Sequence, residues 1–246
     1  MARYRAAEKK DRTEKVSVTA FLFPLLSILY FELIFSYFAQ TGITAYKVLF
    51  ALAVGSLALA VSRITPWRFF NFILQSVWIL LCGGLIAAQF LCRAASGGYF
   101  SLFAPDTLPS FGALLSAALG NIPFLACMLV PLVLQFTAQR AALLKRRSLP
   151  GRLLGANWLE PVGAILLAVV LAFVSVTIAF YDTEGEATPR RQMEIELLPA
   201  ASVSSFGVLP ETALDFKYNV LHIAQDEIIH RYVVTEYGRR IELPEE

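Results

Sequence analysis

Glu32 is the residue of this chain whose type and position are most unusual. It lies about two thirds of the way along the apolar run 16–38, where an ionisable group costs about 2–3 kcal/mol or more unless it is protonated, paired or hydrated. One interpretation is a polar site inside a helix bundle that binds a lipid headgroup, or that pairs Glu32 with Arg93 or Lys47. The other is a structural hydrogen bond to a polar neighbour. The candidate neighbours are Gln75, Gln89 and Asn121.

A second group of polar residues near the C-terminus has the side-chain types that zinc prefers. Its members are His222, Asp226, Glu227 and His230. On a continuous helix, residues four apart share one face, and two His with a carboxylate can bind zinc. The sequence offers no third helix or strand to supply the hydrogen bonds that orient zinc ligands. We therefore interpret these residues as ordinary polar side chains on the surface of the protein.

The sequence contains none of the short motifs that identify common active sites. It has no strained nucleophile turn, phosphate-binding glycine loop, Cys/His pair or metalloprotease helix motif. Its three cysteines, Cys82, Cys92 and Cys127, lie within or beside apolar runs, which predicts neither a disulfide framework nor a thiolate metal site. The basic residues lack interleaved aromatic residues, so nucleic-acid binding is not expected. We expect no catalytic residue, no cofactor and no metal site in this chain.

Composition places most of the chain in a membrane. Hydrophobic residues make up 57% and charged residues 16% of its 246 residues, whereas soluble domains carry about 25% charged residues. Apolar runs of about 20 residues match the thickness of hydrocarbon that a helix must cross. Five such runs are present, at about 16–38, 44–61, 69–92, within 111–136, and at 161–180.

Prolines and glycines within these runs are compatible with membrane helices. Pro123 and Pro131 interrupt the fourth run, and neighbouring helices can satisfy the carbonyl groups that proline leaves free. Gly55, Gly83 and Gly84 predict close helix packing rather than catalysis.

Positive charge predicts the orientation of the spans, because Lys and Arg near membrane ends stay on the cytoplasmic side. The tail before the first span and the loops after the second and fourth spans are basic, whereas the alternate loops hold only Lys47 and Arg93. The basic residues are Arg3, Arg5, Lys9, Lys10, Arg12, Lys15, Arg63, Arg68, Arg140, Lys145, Arg146, Arg147 and Arg152. Five crossings with this bias predict a cytoplasmic N-terminus and an extracellular C-terminus.

The chain therefore divides into three parts. These are a basic cytoplasmic tail at 1–15, a five-helix transmembrane domain at 16–180, and an extracellular connector at 181–246. The first apolar run is too long for a signal-peptide core and lacks a small-residue cleavage site, so we expect it to be retained. The predicted fold is an all-α polytopic membrane protein, a five-transmembrane-helix bundle with a short mixed α/β juxtamembrane connector.

The connector is predicted to contain one strand and one helix. Apolar and polar residues alternate at 192–197, which is typical of a short strand. A helix is predicted from Pro210, with Glu211 in its first turn and apolar residues at Leu214, Val220 and Leu221. About 65 residues with so few large apolar side chains cannot form an independent domain, so the helix is expected to pack on something.

Lipid contact is predicted near the outer face. The loop 93–110 carries aromatic residues suited to the membrane interface, where they either anchor the loop or line a path for lipid. The candidate lipid-contact residues are Glu32, Arg93, Tyr99, Phe100 and Phe103.

Several stretches of the chain resemble the membrane part of the lipoteichoic acid synthase-like family. The stretch 29–35 (LYFELIF) is similar to that family's first helix with its acidic residue. The stretches 98–103 (GYFSLF) and 121–123 (NIP) are similar to its aromatic segment and its fourth helix. The stretch 205–209 (SFGVL) followed by 214–217 (LDFK) resembles the linker between its membrane and catalytic parts. The linker-motif residues are Phe206, Gly207, Leu209 and Asp215.

The resemblance covers nearly the whole chain, and Pro210 and Glu211 depart from it by standing where small hydroxylated residues are usual. Members of the family carry, after the linker, an extracellular alkaline-phosphatase-like domain of the sulfatase fold. That domain uses a catalytic Thr and a divalent metal, typically manganese, to transfer phosphoglycerol from phosphatidylglycerol. This chain stops at Glu246, before the region that would hold these groups, so no catalytic residue is carried over.

The resemblance implies a membrane anchor in a bacterial cell membrane, inactive by itself. Its expected partners are membrane lipid, phosphatidylglycerol among them, and a catalytic domain in cis or a partner protein at the outer face. The alternative is a free-standing small integral membrane accessory or transport subunit that binds a partner through its outer segment. A transporter would predict paired broken helices or internal repeats, and the sequence shows no clear repeat.

Overall fold

The computed structural model describes residues 22–62, 68–101, 108–139, 159–182, 189, 199–219 and 221. Its helices are α1 (Leu22–Ala39), α2 (Ala45–Val61), α3 (Arg68–Ser96), α4 (Phe111–Gly120), α5 (Ile122–Leu134), α6 (Leu159–Tyr181), α7 (Pro199–Phe206) and α8 (Val208–Asn219). A π-helical turn, Gln135–Gln139, continues α5. No strand occurs among the described residues, and the strand predicted at 192–197 lies outside them.

Several helices have the length and hydropathy needed to cross a membrane. Helices α1, α3 and α6 qualify individually, and α4 with α5 makes a fourth span if this bent pair is one crossing. Helix α2 is apolar but 17 residues long. The chain is thus a mostly helical, multi-pass membrane protein, with three or four candidate spans where the sequence predicted five.

Helices α1 and α2 form an antiparallel hairpin. Thr44 caps the start of α2 by accepting a hydrogen bond from the Lys47 N–H at 3.3 Å, and the link from Ala39 is only five residues long. Near the other end of the hairpin, a Cβ added to Gly55 would lie 2.7 Å from Leu25 Cα. The absence of a side chain at Gly55 therefore allows the two backbones to touch, as predicted.

Helix α3 runs parallel to α1 and packs on its other side. A Cβ on Gly83 would lie 2.8 Å from the Phe31 ring, whereas one on Gly84 would meet nothing within 4 Å. Only Gly83 of this pair therefore serves close packing. At the far end, Arg93 Nη1 donates to the Ala39 carbonyl at 2.5 Å, so both helices finish at the same end of the bundle.

The chain bends by 84° between α4 and α5. The break falls at Asn121, before Pro123 in the first turn of α5, where its missing N–H costs nothing. Pro131 lies inside α5 without ending it. Proline frees the carbonyl four residues earlier, here that of Cys127, and the Tyr30 hydroxyl of α1 donates to it at 3.1 Å. A neighbouring helix thus satisfies the group, as expected.

Helix α5 runs antiparallel to α3. The Phe124 ring at its start stacks on Phe90 near the end of α3 at 3.9 Å. At the opposite end, Gln75 Nε2 donates to Gln135 Oε1 at 3.1 Å, and Gln135 Nε2 donates to Ser76 Oγ at 3.2 Å. Each of these buried amides therefore has a partner within the bundle.

Helix α6 packs along α2 in the opposite direction. Ser175 Oγ donates to the Tyr46 carbonyl at 2.8 Å, and the Tyr46 hydroxyl donates to Asp182 at 3.2 Å. At the other end, Leu59 and Ala60 pack against Ala164. Helices α1, α3 and α6 thus finish, and α2 and α5 begin, at one end of the bundle, which we call the junction end.

The core of the bundle extends into the C-terminal helices. Its buried residues are Ile28, Phe31, Phe35, Ile79, Ile86, Phe90, Phe124 and Met128, together with Val203 of α7 and Val208 of α8. The predicted helix thus does pack on the bundle. It begins at Val208, two residues before Pro210, and ends at Asn219. Of its predicted apolar face Leu214 is in the helix, Leu221 lies beyond it and is 52% exposed, and Val220 is outside the described residues.

Candidate functional site

A tight turn at Gly207 joins α7 to α8. The Gly207 N–H donates to the Val203 carbonyl at 3.1 Å and closes α7, while the Gly207 carbonyl accepts from the Glu211 N–H at 3.3 Å and opens α8. Gly207 has a φ of +96°, a left-handed conformation that glycine adopts without steric cost. One residue therefore ends one helix and begins the next.

Glu32 caps the start of α8. The N–H of Val208 donates to Glu32 Oε2 at 3.4 Å, and the N–H of Leu209 donates to Glu32 Oε1 at 3.2 Å. The first turn of a helix leaves its N–H groups without helical partners. Pro210 has no N–H, and Glu211 bonds to the Gly207 carbonyl. The carboxyl group of α1 thus satisfies the remaining donors of this turn, at the end of α8 where the helix dipole favours negative charge.

The position of Glu32 against Gly207 leaves no room for a side chain. A Cβ on Gly207 would lie 2.8 Å from Glu32 Oε2 and 3.0 Å from its carboxyl carbon. The glycine is thus required twice, for its backbone conformation and for the approach of the carboxyl group. Two residues highlighted by the family resemblance, Glu32 and Gly207, are therefore in direct contact.

The Gly207 turn reaches below the junction end of the bundle. Glu32 lies seven residues before Ala39, the last residue of α1, which is a depth of about 10 Å at 1.5 Å per residue. Glu32 itself is 2% exposed. The turn between α7 and α8 therefore inserts between the membrane helices instead of resting on their ends.

The other linker-motif residues also contact the bundle. The Phe206 ring packs edge-on against Phe50 at 6.0 Å and in a tilted arrangement against Tyr46 at 5.8 Å. Beside it, Thr44 Oγ1 donates to the Ser205 carbonyl at 2.7 Å. These contacts attach the end of α7 to the start of α2.

A second attachment joins α8 to the segment after α3. Ser101 Oγ lies 2.6 Å from Asp215 Oδ1 and 2.8 Å from Oδ2, and Asp215 is 1% exposed. All four linker-motif residues, Phe206, Gly207, Leu209 and Asp215, therefore contact the membrane helices or the segment that follows them. This set of contacts, from Glu32 to Asp215, is called the junction below.

Three predicted lipid-contact residues, Arg93, Tyr99 and Phe100, are held by hydrogen bonds near the end of α3. Arg93 Nη1 donates to the Tyr99 hydroxyl at 2.9 Å, and its guanidinium lies 5.6 Å from the centre of that ring. Gln89 Nε2 donates to the Phe100 carbonyl at 2.7 Å, while Gln89 Oε1 accepts from the Phe100 N–H at 3.1 Å. The residues that follow Ser96 are thus tied to the last turns of α3. Phe103 lies outside the described residues.

Neither the basic residues nor the amide residues predicted as partners of Glu32 form a hydrogen bond with its carboxyl group. Lys47 Nζ donates to Ser36 Oγ at 3.3 Å, Thr41 Oγ1 at 3.2 Å and the Gly42 carbonyl at 3.0 Å. Arg93, Gln75 and Gln89 have the partners given above, and Asn121 Nδ2 donates to the Ala117 carbonyl at 2.8 Å. The hydrogen-bond donors to Glu32 are instead backbone N–H groups of the connector, those of Val208 and Leu209.

Glu211 is a polar residue of this site that sequence reasoning did not single out. It is 1% exposed, and its Oε2 has no hydrogen-bond partner. Burial, and then the charge of Asp215 one turn along α8, raise the pKa of Glu211 to about 8. Two acidic residues four apart on a predicted helix were the available signal, because such residues share a face.

In the regions that the structure describes, no group of three or more His, Cys, Asp or Glu residues could hold a metal ion. The residues from His222 to His230 lie outside those regions.

Comparison with known proteins adds no further assignment. A scan of protein-family models and searches of curated proteins and of solved structures found no match to the chain. Its function is therefore argued from the junction.

Proposed function

We propose that this chain is the membrane-anchoring N-terminal part of a lipoteichoic acid synthase-like phosphoglycerol transferase of the sulfatase family. Its physical role is to hold whatever follows α8 at a fixed position against the outer leaflet. The observation that carries the proposal is the junction, in which Glu32 of the first membrane helix caps a helix formed by the linker-motif residues. The residues that resemble the family are thus the residues that meet.

The junction suits positioning better than a flexible tether. A Gly- or Ser-rich linker lets its ends move as a random coil, whereas α7 and α8 contribute buried side chains to the core of the bundle. A domain that followed α8 in the chain would therefore be held at a fixed position relative to the bundle. Transfer of phosphoglycerol from phosphatidylglycerol requires a catalytic site close to the membrane surface, and a rigid anchor would provide that distance.

Five crossings are part of this proposal. Helix α2, with 17 residues, is about 26 Å long at 1.5 Å per residue, against a hydrocarbon thickness of about 30 Å. It returns alongside α1, and α6 runs antiparallel to it, which is the alternation that five crossings require. The bent pair of α4 and α5 supplies the fourth crossing.

Orientation follows from the distribution of Lys and Arg, which puts the N-terminus in the cytoplasm of a bacterial cell and the junction end outside. A labelling experiment tests it. In a variant whose native cysteines are replaced by alanine, Ala187→Cys should react with a membrane-impermeant maleimide on intact cells. Leu149→Cys should react only after permeabilisation. The reverse pattern would refute the orientation and, with it, the family assignment.

The catalytic part of the proposal has its own test. The purified chain, in vesicles with phosphatidylglycerol and manganese, should release no diacylglycerol, because no catalytic group can be assigned to it. Release by these 246 residues would contradict the anchor role and locate an active site within them.

A free-standing accessory or transport subunit is the second candidate. The 84° bend between α4 and α5 favours it, because broken helices form the substrate sites of many transporters. The encoding DNA distinguishes the two. An open frame after the codon for Glu246, leading to a domain with a Thr nucleophile and metal ligands, supports the anchor, whereas a stop codon at that point favours the subunit.

A further inference from the structure

An apolar groove of about 520 Å³ lies between α2, α6 and α8. The groove-lining residues are Phe50, Ala53, Val54 and Leu57 of α2, Ala168, Val169, Ala172 and Val176 of α6, and Phe206, Leu209, Pro210, Ala213, Leu214 and Lys217 of the C-terminal segment. Its volume falls within the range of roughly 300–1,000 Å³ found for small-molecule sites. Phe206 and Leu209 line both the groove and the junction, whereas the Asp215 side chain of α8 contacts only the junction.

The groove lies at the depth of the bilayer and opens toward its hydrocarbon. Its α2 wall extends from Phe50 to Leu57, five to twelve residues from the start of that helix, which is a depth of about 8 to 18 Å. Leu57 is 38% and Val169 59% exposed at its edges, so the groove opens on the apolar surface of the bundle. The hydrocarbon chains of the bilayer are the molecules that meet this surface.

Helix α8 presents two different faces. Glu211 and Asp215 point into the junction, where both are 1% exposed. Pro210, Ala213 and Leu214 line the groove. An empty apolar groove forfeits van der Waals contacts along its walls, so apolar groups that fill it stabilise the face of α8 that lines it.

The chemistry at the rim indicates the headgroup. Lys217 lies in the last turn of α8 and lines the groove with its otherwise apolar neighbours. Lysine places a cation at the end of an apolar stem and is a common partner of phosphate. A chain that enters the groove from the bilayer would therefore bring its phosphate to the level of Lys217.

We propose that the groove binds one anionic phospholipid, with an acyl chain along α2 and α6 and its phosphate at Lys217. The lipid then packs against the face of α8 that carries Pro210, Ala213 and Leu214 and supports the helix from the groove. The inference depends on the chain being a membrane protein and is independent of the proposed transferase function.

Photocrosslinking tests the acyl-chain part. The purified full chain is reconstituted in phosphatidylglycerol vesicles that contain a trace of phosphatidylglycerol with a diazirine in the middle of one chain. Crosslinked peptides should concentrate on the α2 and α6 walls. Ala172→Phe, which fills the groove, should remove most of that signal. Ala118→Phe on α4, a half-buried position remote from the groove, should not.

Even labelling of all lipid-facing helices, unchanged by Ala172→Phe, would mean ordinary annular lipid and overturn the proposal. Crosslinks within the chain or between two copies at these walls would also overturn it, since a protein segment would then be the occupant.

The proposed contact between the lipid phosphate and Lys217 is tested with variants of Lys217, which leave the apolar walls of the groove unchanged. By native mass spectrometry, retention of phosphatidylglycerol should exceed that of phosphatidylcholine with the same chains. Lys217→Glu should reduce phosphatidylglycerol retention about tenfold, the order expected for loss of one charge-assisted hydrogen bond, and Lys217→Arg should preserve it. Equal retention of the two lipids by all three proteins would refute the role of Lys217.

Discussion

Replacement of Glu32 by alanine should release the start of α8 from the bundle. The substitution leaves the N–H groups of Val208 and Leu209 without their partners, and Val208 is fully buried. A buried unsatisfied donor costs about 1–3 kcal/mol, so two orphaned groups weaken docking of α8 by at least about 2 kcal/mol. That cost is large relative to a typical folding free energy of about 5–15 kcal/mol.

Hydrogen exchange measures this effect locally. A loss of about 2 kcal/mol raises the exchange rates of the α8 amides about 30-fold if they exchange through undocking. Glu32→Gln retains one acceptor oxygen and should have an intermediate effect. Gln75→Leu is the matched control, because it removes a buried hydrogen bond to Gln135 at the opposite end of the bundle and should leave α8 protected.

The result that would refute the capping argument is unchanged exchange in α8 of Glu32→Ala, measured on protein that remains folded. That result would favour the lipid-headgroup interpretation of Glu32. Equal deprotection by Gln75→Leu would show a global loss of stability instead of a local one.

Three further substitutions test other features of the structure. Gly207→Ala should raise hydrogen exchange in α8 as Glu32→Ala does, because the new Cβ would lie 2.8 Å from Glu32 Oε2 and a left-handed backbone costs roughly 1–2 kcal/mol for residues other than glycine. Adding Glu32→Asp, which has a shorter side chain, should restore part of the protection. No gain in protection would argue against the steric contact. The pKa of Glu211 is about 8 in the folded protein, against an ordinary value of 4.5. Between these two pH values the folded state therefore binds more protons than the unfolded state. The free energy of unfolding should accordingly fall as pH rises from about 4.5 to 8. Thermal melting across this window should show that slope, and Glu211→Gln should remove the part due to Glu211; an identical slope in the variant would contradict the assignment. Gly83→Leu should lower the melting temperature, because its Cβ would lie 2.8 Å from the Phe31 ring. The neighbouring Gly84→Leu should be tolerated, because a Cβ there meets nothing within 4 Å. Equal effects of the two variants would refute the proposed packing of α1 on α3.

Hydropathy predicted the positions of the long helices because a bilayer imposes a length and a polarity on every crossing. The ends of α3 and α6 fall close to their predicted limits. The same reasoning could not establish the number of crossings. Helix α2 has 17 residues, fewer than the roughly 20 that a crossing needs, and α4 and α5 are separated by a sharp bend. Those features depend on how neighbouring helices pack, which a run of apolar residues does not specify.

The partner of Glu32 could not be predicted for a different reason. A buried carboxyl group in a membrane helix signals that some partner exists, and the sequence did identify that need. Backbone N–H groups are present at almost every residue, so nothing in the side chains of Val208 or Leu209 distinguishes them as donors. The nearest sequence signal was Gly207, since a glycine just after a helix commonly ends it.

Helix α7 was missed because its sequence, PAASVSSF, has little apolar periodicity. Proline at its first position and glycine just after its end are the pattern that frames many helices. Read together, Pro199 and Gly207 would have predicted the helix. The predicted helix from Pro210 was correct in type, since α8 covers that region.

The capping contact also has a consequence for biosynthesis. Glu32 and Val208 are 176 residues apart, so a chain made from its N-terminus at about 5–20 residues per second exposes the carboxyl group roughly 9 to 35 s before its partner exists. During that interval Glu32 must remain protonated, hydrated or shielded by the insertion machinery. The membrane domain can complete its folding only after α8 has been synthesised and delivered to the junction end. A nascent chain halted before Gly207 would therefore carry in its first helix a carboxyl group that lacks its hydrogen-bond donors.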